Sequence, residues 1–69
     1  MSSEIIQYHC CEIINRINKK DYFLITCLNF LIKHGSSENT RHDWHLVGKN
    51  LFNLGYLKIN SKGEYYVTE

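Results

Sequence analysis

Residues 23–32, Phe-Leu-Ile-Thr-Cys-Leu-Asn-Phe-Leu-Ile, hold eight apolar side chains in ten positions. At 100° per residue these side chains cover about 220° of a helix and leave a narrow polar strip of Thr26, Asn29 and Lys33. A helix over 22–34 of that kind is predicted to be packed from two sides, so it is the expected centre of the fold. Asp21 is placed to cap its start, and Gly35 to end it as a left-handed residue just past the last turn. The whole chain has 69 residues. A chain of this size supports one small domain, with net stability near the lower limit for a single core.

The flanking segments follow from the same periodicity. Ile6, Cys10, Ile13, Ile14 and Ile17 recur at spacings of three and four, which predicts an amphipathic helix over 3–18 with Ser2 or Ser3 as its cap. Lys19 and Lys20 suit its negative end. After a turn at 35–39, Thr40-Arg41-His42-Asp43 has the form of a capping box and opens a third predicted helix, 41–54. Trp44, Val47, Leu51 and Leu54 fall within about 80° on its wheel and are expected to face the core, with Gly55 ending the helix. Residues 56–68 alternate on both sides of a Gly-containing turn, and Tyr, Val and Ile dominate them, which predicts a β-hairpin. The expected class is therefore mainly α with a C-terminal β-hairpin (α+β), in one domain spanning 1–69.

Eight Lys and Arg against seven Asp and Glu give a net charge of +1, so no global field draws the chain onto nucleic acid or anionic lipid. The distribution is uneven. Residues 41–62 carry Arg41, Lys49, Lys58 and Lys62 against Asp43 alone, a net of +3. The side of the third helix opposite its apolar stripe is centred on Lys49 and flanked by Arg41, His42, His45 and Asn53. Lys and Arg reach guanine O6 and N7 or phosphate, and Asn pairs with adenine N6 and N7, so this face has major-groove chemistry. Lys58, Lys62 and free backbone N–H groups at the hairpin turn, near Ser61 and Gly63, are suited to phosphate. Leu46 and Phe52 border the face, and Phe52 is expected to tuck under the hairpin or against the first helix.

The run Leu51-Phe52-Asn53-Leu54-Gly55-Tyr56-Leu57-Lys58-Ile59, which leads directly from the last helix into the first strand, resembles the end of a winged-helix DNA-binding domain. The resemblance covers residues 40–68. It implies that the third helix is a recognition helix presenting Arg41, His42, His45, Lys49 and Asn53 to the major groove. The hairpin is then the wing, with Lys58 and Lys62 on phosphate, and the two earlier helices take the family's first and second helix positions. The function so implied is a small transcriptional regulator that binds double-stranded DNA, with a homodimer supplying affinity.

A competing reading makes the same framework a protein-interaction module that binds a host or partner protein through Leu46, Phe52 and an exposed Tyr66. A third gives the Ile-rich face of the first helix to dimerisation. Cys10, Cys11 and Cys27 have no zinc-like spacing with His9, His34, His42 or His45, so no metal is expected, and Cys10 and Cys27 are read as small core residues. No phosphate-binding Gly loop, nucleophile elbow or paired carboxylate set is present, and neither an enzyme nor a cofactor is expected. The odd cysteine number and the lack of a leader-like or membrane-spanning stretch point to a cytoplasmic protein with reduced thiols. The absence of Ala and Pro beside seven Asn, six Lys, eight Ile and five Tyr suits an AT-rich coding sequence, such as that of a phage or plasmid.

Overall fold

The computed structural model describes residues 2–68. Helices α1 (Ser3–Asn18), α2 (Phe23–His34) and α3 (Glu38–Asn53) are followed by strands β1 (Leu57–Ile59) and β2 (Tyr65–Val67). The strands pair antiparallel, with Leu57 opposite Val67, Lys58 opposite Tyr66 and Ile59 opposite Tyr65. This is the mainly α chain with a C-terminal hairpin that the periodicity predicts. Among the described residues no helix is long and apolar enough to cross a membrane.

Ser2 caps α1 by accepting the Ile5 N–H at 3.3 Å. The helix ends in a double backbone closure, Lys20 N–H to Ile17 C=O and Asp21 N–H to Arg16 C=O, both 2.9 Å. Lys20 takes the left-handed conformation there, at φ 60°, which costs an L-residue roughly 1–2 kcal/mol. Asp21 then links the two helices. One carboxylate oxygen accepts the Phe23 N–H at 3.1 Å and the other meets the Arg16 guanidinium at 3.1 Å. These contacts, the Phe23 N–H first, hold the Asp21 carboxyl below its ordinary range.

One cap conformation and one helix start differ from those expected. Gly35 closes α2 with its N–H on the Leu31 carbonyl at 2.9 Å, at φ −55° rather than in a left-handed turn. Glycine is needed there for closeness, because a Cβ would stand 2.7 Å from the Leu31 carbonyl oxygen and 2.9 Å from Arg41 Cγ. The third helix starts at Glu38, two residues before Thr40. Ser37 is its cap, accepting the Thr40 N–H at 3.1 Å and donating its hydroxyl hydrogen to Thr40 Oγ1 at 2.9 Å. Its far end behaves as expected: Gly55, at φ 89°, lets Tyr56 N–H close on Leu51 C=O at 3.0 Å.

The buried core comprises Cys10 and Ile13 from α1, Ile25 and Leu28 from α2, Val47 and Leu51 from α3, and Leu57 and Tyr65 from the hairpin. Ile6, Ile14, Ile17 and Trp44 pack against it. The Ile face of α1 thus packs against the core of its own chain. Leu54 does not join the core: it is 63% exposed, because it is the cap residue where the chain turns away. Gly48, buried beside Val47, completes the inner face instead. The second side of α2 is also uncovered, with Phe23 67% and Phe30 61% exposed.

Gly48 is where the hairpin meets α3. A Cβ at this position would lie 2.5 Å from Tyr65 Cε2, and the Tyr65 ring is itself buried. In an open helix Gly→Ala gains about 1 kcal/mol, whereas overpacking a closed core costs about 1–3 kcal/mol. Gly48→Ala is therefore expected to lower stability by up to about 2 kcal/mol, seen as a lower urea midpoint with unchanged slope. A rise in the midpoint contradicts the packing described.

The Asp21 contacts have a pH signature. A carboxyl depressed in the folded chain contributes stability that is complete above its unfolded value, about 3.9, and is lost as pH falls through the lower folded value. The stability difference between the wild type and Asp21→Ala should be constant near neutrality and shrink in that acid window. A difference that persists unchanged to about pH 2 removes the charge from the explanation.

Candidate nucleic-acid interface

Val47 and Leu51 are fully buried and fix the rotation of α3 about its axis. Helix geometry then sends His42, His45, Lys49 and Asn53 outward, and all four are exposed. The face runs on toward the hairpin, since the His45 ring lies 6.1 Å from the Tyr65 ring. Residues 44–63 contain no Asp or Glu, so Lys49, Lys58 and Lys62 share a stretch of chain without a carboxylate. Lys58 sits on the outer face of the hairpin opposite Tyr66, and Lys62 stands exposed in the turn.

Arg41 is placed differently from the rest of the predicted set. It is half-buried at the α2–α3 corner, and Nη1 donates to the Gly35 carbonyl at 2.8 Å. Its first duty is to hold a three-residue turn between two helices. At the hairpin tip the backbone N–H groups of Lys62, Gly63 and Glu64 are engaged within the turn. Asn60 Oδ1 accepts from Lys62 N–H at 2.9 Å and Glu64 N–H at 3.0 Å, and the Asn60 carbonyl accepts from Gly63 N–H at 3.0 Å.

The predicted protein-interaction set does not form one patch on α3. Leu46 is half-buried and Phe52 is 43% exposed, so Phe52 is only partly tucked in. Six residues separate them, which puts them about 120° apart around the helix, on opposite flanks. Tyr66 lies on the outer hairpin face, while Tyr65 is core. The most exposed aromatic side chains, Tyr8, Phe23 and Phe30, lie instead on α1 and α2.

The thiols divide. Cys10 is buried and its Sγ–H points at the Val47 carbonyl, 3.7 Å away; burial, then the neighbouring Cys11, pushes its ionisation up. It is a packed, protonated thiol. Cys11 is exposed as expected, but Cys27 is only half-buried and lines a cleft rather than the core. The His9 ring rests 4.6 Å from the Trp44 ring. Among the described residues no three His, Cys, Asp or Glu side chains gather as a metal-binding group.

Asn29, which reads in the sequence as part of a solvated strip, positions the hairpin. Its Nδ2 donates to the Tyr65 carbonyl and its Oδ1 accepts the Tyr65 N–H, both at 2.8 Å. One amide side chain thus completes the backbone bonding of β2 as a neighbouring strand does. Only the spacing of a lone amide within an apolar run signals it. Compared with known proteins, the chain matches no family model, no curated protein and no solved structure.

Removing the Asn29 amide leaves two partly buried backbone groups of Tyr65 without a partner, at about 1–3 kcal/mol. Asn29→Ala is expected to reduce stability by that order and to speed amide exchange at Tyr65 more than in the middle of α1. Uniform acceleration across the chain contradicts a local clamp.

Proposed function

We propose that this chain binds double-stranded DNA as a small transcriptional regulator, with α3 in the major groove and the hairpin alongside it. The observation that carries the reading is the pairing on α3 of a fully buried apolar side with an outward row of His42, His45, Lys49 and Asn53. A helix held that way presents donors from a rigid base, and groove readout requires this. The row extends over most of a 16-residue helix, about 24 Å long, and a major groove about 12 Å wide admits it.

The roles follow from chemistry. Lys49 reaches guanine O6 and N7 or a phosphate, Asn53 matches adenine N6 and N7, and His42 and His45 supply ring nitrogens at the groove edge. Lys58 and Lys62 reach the sugar–phosphate backbone. Arg41 contributes by keeping the α2–α3 corner closed. The order of elements supports the reading: α2, a turn at 35–37, α3 and a hairpin follow the order of winged-helix DNA-binding domains.

The cations on the proposed contact face, Lys49, Lys58 and Lys62, set the salt response. About three phosphate contacts give a slope of log affinity against log salt near −3 per chain. Fluorescence anisotropy with labelled duplex, repeated at several salt concentrations, measures it. Lys49→Ala is expected to weaken binding about tenfold while leaving the circular dichroism spectrum unchanged. A response flat in salt, or full affinity in the Lys49 variant, removes the proposal.

A further inference from the structure

The side of α2 that faces away from the core has an order of its own. Phe23, Cys27, Phe30 and His34 follow one another at spacings of four, three and four, which aligns them along the helix. Phe30 and His34 stack with ring centroids 5.0 Å apart. Beside this line a cleft of about 360 Å³ runs between the helices, with Tyr8, Leu24, Cys27, Leu31 and Trp44 among its walls. A shallow recess lined by Thr26, Cys27, Phe30 and Leu31 adjoins it and shares Cys27 and Leu31. Projecting rings and apolar hollows thus occupy one face.

We propose that a second copy of this chain docks there, the two α2 helices packing antiparallel about a two-fold axis between Cys27 and Phe30. A two-fold interface joins a patch to itself, so one patch must carry both the projection and its recess. This one does. Antiparallel pairing in this register sets each Phe30 ring against the Cys27–Leu31 recess of the other copy, and each Phe23 against its His34.

Charge selects the same arrangement. α2 contains no Asp or Glu, so no carboxylate of the helix is buried at the seam. Antiparallel packing sets the N-terminal end of each helix beside the C-terminal end of the other, where their dipoles oppose favourably. Parallel packing would set like against like. Area sets the strength. Tyr8, Phe23 and Phe30 are each more than 60% exposed, and three such rings offer roughly 350 Å² per chain. With the cleft walls added, the interface falls in the class below about 1,200 Å² in total, which forms weak, reversible dimers.

This dimer stands independently of DNA binding, because the seam residues lie on α2 and Trp44 of the cleft wall is not part of the outward row of α3. Sedimentation equilibrium of the full chain without DNA, from about 1 μM to about 1 mM, tests it. The average mass is expected to climb from 8.2 kDa toward twice that value. Phe30→Glu is expected to hold the single-chain mass and to raise the dissociation constant at least tenfold, with the helical spectrum retained because Phe30 is exposed. If Phe30→Glu loses helical signal, Phe23→Glu repeats the test in the first turn, where an acid favours the helix. Mixed labelled and unlabelled chains should also show nuclear Overhauser contacts from Phe30 of one copy to Leu31 of the other. A wild type of single-chain mass at every concentration overturns the proposal and leaves this face to an unlike partner. So does a dimer indifferent to the exposed glutamate, or one lacking the Phe30–Leu31 contact.

Discussion

Tyr65 joins three elements through two kinds of contact. Its ring fills the space that Gly48 leaves open on α3, and both its backbone groups are bonded by the Asn29 amide of α2. Through strand pairing it also holds Ile59 of β1. A two-stranded hairpin of three-residue strands is marginal by itself, so these outside contacts are what keep it in place. The glycine in the middle of α3 is unfavourable for a helix taken alone, and it persists because a ring occupies the vacated volume. The position of Lys58 relative to Lys49, on which the proposed DNA contact depends, follows from this junction.

Much of the fold was legible because single-faced patterns are unambiguous. The Ile spacing of α1 and the Gly55 stop of α3 needed only local rules. Helix α3 began early because two overlapping cap signals compete, Ser37 reaching Thr40 and Thr40 reaching Asp43. The choice is tertiary: Arg41 bonds the Gly35 carbonyl, and the tight corner this makes requires the helix to be under way by then. Leu54 was misplaced by extending a wheel one position beyond the last helical turn. Asn29 was missed because an amide that clamps a strand and an amide in water look identical in sequence.

The width of an apolar face reports how much surface prefers to leave water, not how many elements are present to cover it. α2 shows the difference. Its 220° of apolar surface reads as a helix enclosed on both sides, yet α1, α3 and the hairpin all gather on one. Ile25 and Leu28 meet them, while Phe23 and Phe30 stay outside. Among the described residues no further element closes that side. The order of seam residues, rather than their hydrophobicity alone, is what distinguishes an interface from a sparsely covered core.

The proposed DNA contact and the proposed dimer face share one rigid corner. α2 carries the seam, α3 carries the groove-facing row, and a three-residue turn held by Arg41 fixes the angle between them. A two-fold through α2 therefore repeats α3 at a spacing set by that corner, and a DNA site for such a pair is an inverted repeat. The charge balance makes this matter. At a net +1 the chain has little long-range attraction for DNA, and the three lysines of the proposed contact face act only within a Debye length of about 8 Å. Affinity must then come from short-range fit at two places at once, where the second contact is gained at the effective concentration the first one sets.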